Sequence, residues 1–318
     1  MDILITTHTE FGYVHSDRII PDKTAIDGVR KGVPNLIKIA DKYSAKITFA
    51  VMPEVVQYFP KDVDHEIGLH IHAGWEKFQY GNFSCYIGDM YLREHTSHRG
   101  TSTVLRDYSY KEQFEMIRTG KDYLEEALDV RPISFVSGRW SINNDTVKAL
   151  IKSGFKYECS ATAHSKPCHH DWSKLPRICM PYQPSVEDYQ LKGNLPLLEV
   201  PISQMFPRGN VNPENIPIYG ISWLKACFLE YYNQDAPLFH MCLHSPCMTD
   251  PYFVSKFDEL LNFISKHKKI HFIFSSEISD YENFVPKNNI FPYLVRINSK
   301  ILKLGFNAIK LKVLGSRE

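Results

Sequence analysis

Short runs of β-branched and apolar residues alternate along this chain with longer stretches in which apolar residues recur every three or four positions. Ile3–Thr7 is a continuous apolar run that ends in a polar cluster, the pattern of a strand buried on both faces. Ala25–Tyr43 then carries Ile26, Val29, Val33, Leu36, Ile37 and Ile39 at helical spacing. Further strands are predicted at Ile47–Met52, Glu66–Ile71, Ile133–Val136, Phe155–Cys159, Leu197–Ile202, Leu238–Leu243 and Ile270–Phe274. Helices are predicted at Lys111–Leu128, Thr146–Ser153 (stopped by Gly154) and Ser255–His267. Strands that alternate with helices pair in parallel through right-handed crossovers. Roughly seven such units predict a closed or nearly closed α/β barrel, with a flat doubly wound sheet as the alternative. No GxGxxG or GxxxxGK[ST] follows the first strand, so nucleotide-cradling folds lose their main support. Two long insertions, 75–110 and 161–195, are rich in Tyr, His, Ser and Pro. Both follow strands, where α/β barrels build their sites.

Composition changes this picture little. With 318 residues, 43% of them hydrophobic and 23% charged, the chain lies far from the disordered class. Its 37 basic and 36 acidic residues give a net charge of +1, too little to collect phosphates, so no nucleic-acid partner is expected. The distribution says more. Pro286–Glu318 holds seven basic residues and one acid, a net +6, which leaves the rest of the chain at −5. MDILITTHTEF does not read as a signal peptide, and no apolar run is long enough for a transmembrane helix. Seven cysteines without a CxxC fit reduced thiols, and a cytoplasmic location is expected.

Histidine placement carries the chemistry. His8 and Glu10 lie two apart at the end of the first strand, and His70 and His72 two apart in HEIGLHIH, so each pair shares a strand face. HMCLHSP puts His244 just past the end of another strand. In a parallel barrel these ends converge. Two His and one carboxylate suit a catalytic divalent cation with one open position, with Zn²⁺ foremost and Co²⁺, Ni²⁺ or Fe²⁺ compatible. His65 and His240 read as structural residues. His164, His169, His170 and Asp171 read as a polar substrate loop rather than an accessory metal site.

Several segments together resemble the polysaccharide deacetylase superfamily (NodB homology, carbohydrate esterase family 4). These are ITTHTEF, KITFAVMPE, HEIGLHIH, SFVSGRWSINNDTVKALIKSGFKYECS, LLEVPIS and LHSP, in the family's order over about residues 1–280. The resemblance implies a distorted (β/α)7 barrel, set here at 1–285; the basic composition beyond it marks an amphipathic C-terminal extension at 286–318. It implies metal-dependent removal of an acyl group from an N-acyl sugar. Glu10 matches the metal-binding acid, His70 the first metal His and His244 the general acid. His8 stands where the family has a catalytic-base Asp, and reads as a base, an extra ligand or a partner of Glu10. The family's second metal His falls on Gly74, and His72 is its substitute here. The family's Arg falls on Val136, and Arg139 is the nearest replacement. Trp75, Trp140 and His164 are candidates to bind the sugar.

The expected substrate is an N-acyl sugar in a surface-glycan precursor, linked to a lipid or a nucleotide. A deformylase or other amidase on the same scaffold, and an inactive glycan-binding relative, are the alternatives. Ile297, Ile301, Leu304 and Ala308 fall near one helical face of the tail, with Leu302, Phe306, Ile309 and Val313 adjoining and lysines interleaved. Such a basic amphipathic helix suits the anionic inner membrane face.

Overall fold

The computed structural model describes the chain apart from residues 17, 21, 23, 24, 81, 82, 280, 282, 283 and 315–318, and apart from the side chains of 18, 76–80, 83–87 and 309–314. In chain order the elements are β1 (Asp2–Thr9), β2 (Tyr13–His15), β3 (Arg18–Ile20), α1 (Val33–Lys42), β4 (Thr48–Val51) and β5 (Glu66–Ile71). Next come β6 (Trp75–Tyr80), β7 (Phe83–Gly88), α2 (Met90–His95), α3 (Tyr110–Leu128), β8 (Ser134–Ser137), α4 (Asn144–Lys152), β9 (Tyr157–Glu158) and β10 (Leu198–Glu199). The chain continues with α5 (Ile216–Tyr219), α6 (Ile221–Tyr232), β11 (Leu238–His244), α7 (Pro251–Ile264), β12 (His271–Ile273), α8 (Phe291–Leu294) and α9 (Ser299–Leu314).

Eight strands form one parallel sheet in the order β10-β9-β8-β5-β4-β1-β11, with β12 on the first half of β1. The sheet curls. Past β10, the Ser203 amide donates to the His240 carbonyl at 3.0 Å and the Cys242 amide to the Val211 carbonyl at 3.2 Å, joining the two ends loosely. The curled arrangement is the distorted barrel expected from the sequence, and the flat alternative does not apply. Alternate residues of each strand face inward. Leu4, Ala50, Val136, Cys159, Val200 and Leu238 form a small apolar plug at the bottom of the barrel. The opposite face of the strands packs with the helices into the main core, through Ile3, Ile5, Phe49, Leu69, Phe135 and Phe239 among others.

Helix ends follow local chemistry. Ser109 and Glu112 form a reciprocal capping box at α3, and Asn143 caps α4 through the Thr146 amide. The helix expected over Ala25–Tyr43 becomes regular only from Val33. Before it, Gly28–Gly32 forms a wider turn pressed against the barrel mouth. A Cβ at Gly28 would lie 2.5 Å from the Glu10 carbonyl, and one at Gly32 only 2.1 Å from that of Ser245. These glycines let the turn abut the two segments that carry Glu10 and His244. Two further departures concern elements read as loop: residues 75–110 contain the β6–β7 hairpin and α2, and α5 and α6 were not anticipated.

The 161–195 insertion is held by a buried ion pair. The Arg177 guanidinium donates to both carboxylate oxygens of Glu230 on α6 (2.9 and 2.5 Å) and to the Gln204 carbonyl and Asn288 Oδ1. Tyr293 also donates to Glu230 at 3.0 Å. The extension expected from Pro286 onward therefore divides: Asn288–Tyr293 is bound to the barrel through this network, whereas the side chains of 302–308 are exposed. Replacing Arg177 with Met leaves a buried carboxylate without its partner. The Arg177→Met variant is expected to lose about 3–5 kcal/mol of unfolding free energy, read by urea denaturation; an unchanged midpoint would show that this network does not hold the insertion.

Candidate metal centre and active site

Strand periodicity builds the site in layers. On β1, Leu4, Thr6 and His8 point inward in turn; on β5, Gly68 and His70; on β11, Leu238, His240 and Cys242. His240 lies in a layer below the mouth, where its Nδ1–H donates to the Pro201 carbonyl and its Nε2 accepts from Thr6 Oγ1 at 2.8 Å. It is a satisfied interior histidine, as expected. His65 is also structural: it packs edge-on against Phe49 and Phe274, away from the site.

At the mouth the structure brings Glu10, His70 and His72 together. Glu10 Oε2 is 3.2 Å from His72 Nε2 and 3.7 Å from His70 Nε2. Among the described residues these three make the one group whose ligand atoms all lie within 4.8 Å of one another. His70 is fully buried, and its Nδ1–H donates to the Val136 carbonyl at 3.0 Å. That bond fixes the tautomer, so in the neutral ring Nε2 carries the lone pair. This atom has no hydrogen-bond partner and faces a carboxylate oxygen. Burial holds the His70 pKa below its ordinary value against the opposing charge of Glu10, and so favours the neutral ring. Burial alone would push the Glu10 carboxyl up, but the two imidazoles outweigh it and hold the group well below the usual carboxylate range. A lone pair aimed at an ionised carboxylate is an arrangement that a cation between them relieves. The donor set of two His and one Glu fits a divalent metal on this observation. Room for His72 comes from Gly138, where a Cβ would lie 2.6 Å from His72 Nδ1.

Around this cluster stand the other predicted residues. His8 is buried between His70 and His244, at 4.6 and 4.5 Å between ring centroids, with Nε2 3.3 Å from Cys242 Sγ. Burial, reinforced by the neighbouring imidazoles, keeps its pKa well below the ordinary value. His244 differs because of Glu214, a residue not singled out in the sequence. Glu214 Oε1 accepts from the His244 amide at 2.7 Å and from its Nδ1–H at 3.1 Å. Burial depresses the His244 pKa, but the bond to Glu214 and its charge win and raise it. Glu214 sits in a short turn after Asn212, outside any periodic element, so pattern offered no signal for it.

The cluster opens into a cavity of about 630 Å³. Glu10, His8, His72 and His244 lie at its base, with Arg139 and Trp140 along one wall and Phe11, Ile19, Met52, Pro217, Ile218 and Phe253 among its apolar lining. Arg139 has a left-handed backbone (φ 59°), and its Nε donates to Thr103 Oγ1 at 3.3 Å. Trp75 begins the β6–β7 hairpin and is not among the residues lining this cavity. His164 lies in a neighbouring depression that shares Trp140 with the cavity. The polar loop is internally satisfied: His170 bonds Thr162 and the Arg139 carbonyl, and Asp171 pairs with Lys166.

No protein-family model matches the chain. It is similar to the peptidoglycan deacetylase of Helicobacter pylori (strain ATCC 700392 / 26695), 21% identical over 286 residues that span 81% of this chain and 85% of that protein. Among solved structures, a probable polysaccharide deacetylase from Pseudomonas aeruginosa PAO1 superposes with a TM-score of 0.55 at 14% identity, covering 86% of this chain and 88% of that one. Puue allantoinase gives a TM-score of 0.55 at 15% identity, covering 86% and 87%. At such identities the superpositions establish the architecture. The chain resembles the polysaccharide deacetylase superfamily and has its NodB-type fold, a curled parallel half-barrel with helices at the C-terminus.

Proposed function

We propose that this chain is a metal-dependent hydrolase that removes the N-acyl group of an amino sugar in a glycan precursor. The observation that carries this reading is the unpartnered His70 Nε2 facing the ionised Glu10, which lines a cavity together with His72. Glu10, His70 and His72 would hold the ion. Bound there, a divalent cation supplies Lewis-acid polarisation of the acyl carbonyl. Histidine 8, kept neutral by burial, is the group placed to accept a proton from the attacking water. His244, whose pKa Glu214 raises, stands on the other side of His8 and donates to the departing amine. The apolar wall excludes bulk water and packs against the acyl group and the less polar sugar face. The similarity to the peptidoglycan deacetylase of Helicobacter pylori supports this reaction class. Six described cysteines are unpaired, which supports action in a reducing cytoplasm on a lipid- or nucleotide-linked precursor.

Purified protein is expected to hold close to one divalent ion per chain by elemental analysis. His70→Ala should lose both the ion and the activity, and Gly138→Ala should weaken retention against a chelator by pushing on His72. Full deacylation by a metal-stripped or His70→Ala protein would overturn the assignment; sugar binding with no turnover at full metal loading would favour the glycan-binding relative instead.

The pH profile tests His244 separately. A general acid must be protonated, so kcat/KM is expected to fall as pH rises through the His244 pKa, which lies above the ordinary 6.5. Glu214→Gln removes the charge that raises it. The falling limb should move to lower pH, with activity at neutral pH down about tenfold or more; an unmoved limb would remove His244 from the acid role.

A further inference from the structure

The helix α9 leaves the body of the protein from the rim of the cavity. Its start is tied to α5 and to the first turn of α6: Asn298 Nδ2 donates to the Tyr219 carbonyl at 3.0 Å and to Ser222 Oγ of α6 at 2.8 Å, and Lys300 Nζ donates to the Pro217 carbonyl of α5 at 2.7 Å. Pro217 and Ile218 of the same α5 line the cavity, and Ile218 is 49% exposed. Beyond Ile301 the described side chains of α9 are all exposed, including Leu302 at 52% and Phe306 at 70%. On α8 and just beyond it, Phe291, Leu294 and Val295 are also more than half exposed. Water-facing apolar side chains at this density, continuous with the mouth of a cavity, mark a surface that something covers.

Charge indicates what covers it. The sequence from Pro286 to Arg317 has seven basic residues and no acid, against a body that is net negative. Arg296, Lys300 and Lys303 alternate with the exposed Leu294, Val295, Leu302 and Phe306. Basic side chains interleaved with unpartnered apolar ones complement an interface that is anionic at its surface and apolar just beneath. We propose that α8, α9 and the α5 rim form a docking face for an anionic lipid bilayer, which brings the mouth of the cavity to the membrane surface. No helix among the described residues is long and apolar enough to cross the bilayer, so the contact is peripheral. This face stands on its own observations and does not depend on the reaction proposed above.

The test uses the full chain and sedimentation with phosphatidylcholine vesicles, with and without phosphatidylglycerol. The protein is expected to sediment with the anionic vesicles and not with the neutral ones. Each basic residue near the surface adds about fivefold to binding, so raising the salt should release it. The Leu302→Ser/Phe306→Ser double variant should bind at least tenfold more weakly. Lys303→Glu should also weaken binding. Both should melt at the wild-type temperature, because these side chains are exposed. Three results would overturn the proposal: no binding of wild-type protein to anionic vesicles, binding unchanged in both variants, or a wild-type dimer that the double variant makes monomeric, which would assign the face to a second copy of the chain.

Discussion

An ionised carboxylate with little contact with solvent dominates the mouth of this barrel. Glu10 is 8% exposed, yet its carboxyl stays well below the usual range because two imidazoles face it. A buried charge is tolerated only when paired or when it coordinates a cation. The surrounding residues serve this requirement. Ser245 Oγ accepts from the Glu10 amide and donates to the Glu10 carbonyl, both at 3.2 Å, which fixes the backbone of the acid across two strands. The Val136 carbonyl turns the lone pair of His70 toward the carboxylate, and the missing Cβ of Gly138 admits His72. The Gly28–Gly32 turn then presses on the same two segments from outside. Each of these contacts costs conformational freedom, and each narrows the positions that the three donor atoms can take.

Much of the architecture was legible because parallel strands buried on both faces leave continuous apolar runs. Glu66–Ile71 was read to the residue, and β1 and β11 lay within two residues of their expected ends. The His8/Glu10 and His70/His72 pairs were legible for a related reason: a period of two needs no tertiary information to put side chains on one face. What escaped lacked a period. Buried α6 shows Trp223, Leu224, Ala226, Cys227, Phe228 and Tyr231 to the core, so almost every side of it is apolar and no stripe marks it as a helix. Glu214 acts from an irregular turn, and its partnership with His244 exists only once β11 and that turn meet. Glu230 shows the same limit: nothing in its sequence context announces a buried pair with Arg177, more than fifty positions earlier.

The fold does not choose the reaction. An allantoinase superposes on this chain as closely as the polysaccharide deacetylase does, so specificity lies in the side chains at the mouth rather than in the strands. Here those side chains mix charge with apolar surface, since Phe11, Ile19, Met52 and Phe253 share the cavity with His8, His72 and His244. Apolar walls lower the local dielectric, which strengthens every charge interaction at the base of the cavity and excludes competing water.

His8, which stands where the polysaccharide deacetylases that the chain resembles would carry a base Asp, suits this electrostatic setting. A carboxylate two residues from Glu10 would add a further negative charge to a cavity already lined by Glu10 and Glu214, with Arg139 and the imidazoles to offset them. An imidazole needs no counter-charge when neutral, and burial keeps it so. A cation held by Glu10, His70 and His72 would disfavour its protonation further, so metal loading would favour the neutral ring that the proposed base role needs. His244 sits just as close to His8, yet Glu214 moves its pKa upward. Two rings 4.5 Å apart are thus shifted in opposite directions: burial and the neighbouring imidazoles lower the His8 pKa, and the carboxylate bound to His244 raises that of His244. Separation of neighbouring pKa values is what a base and an acid within a single site require, and the roles proposed for His8 and His244 rest on which ring the irregular turn at Glu214 reaches.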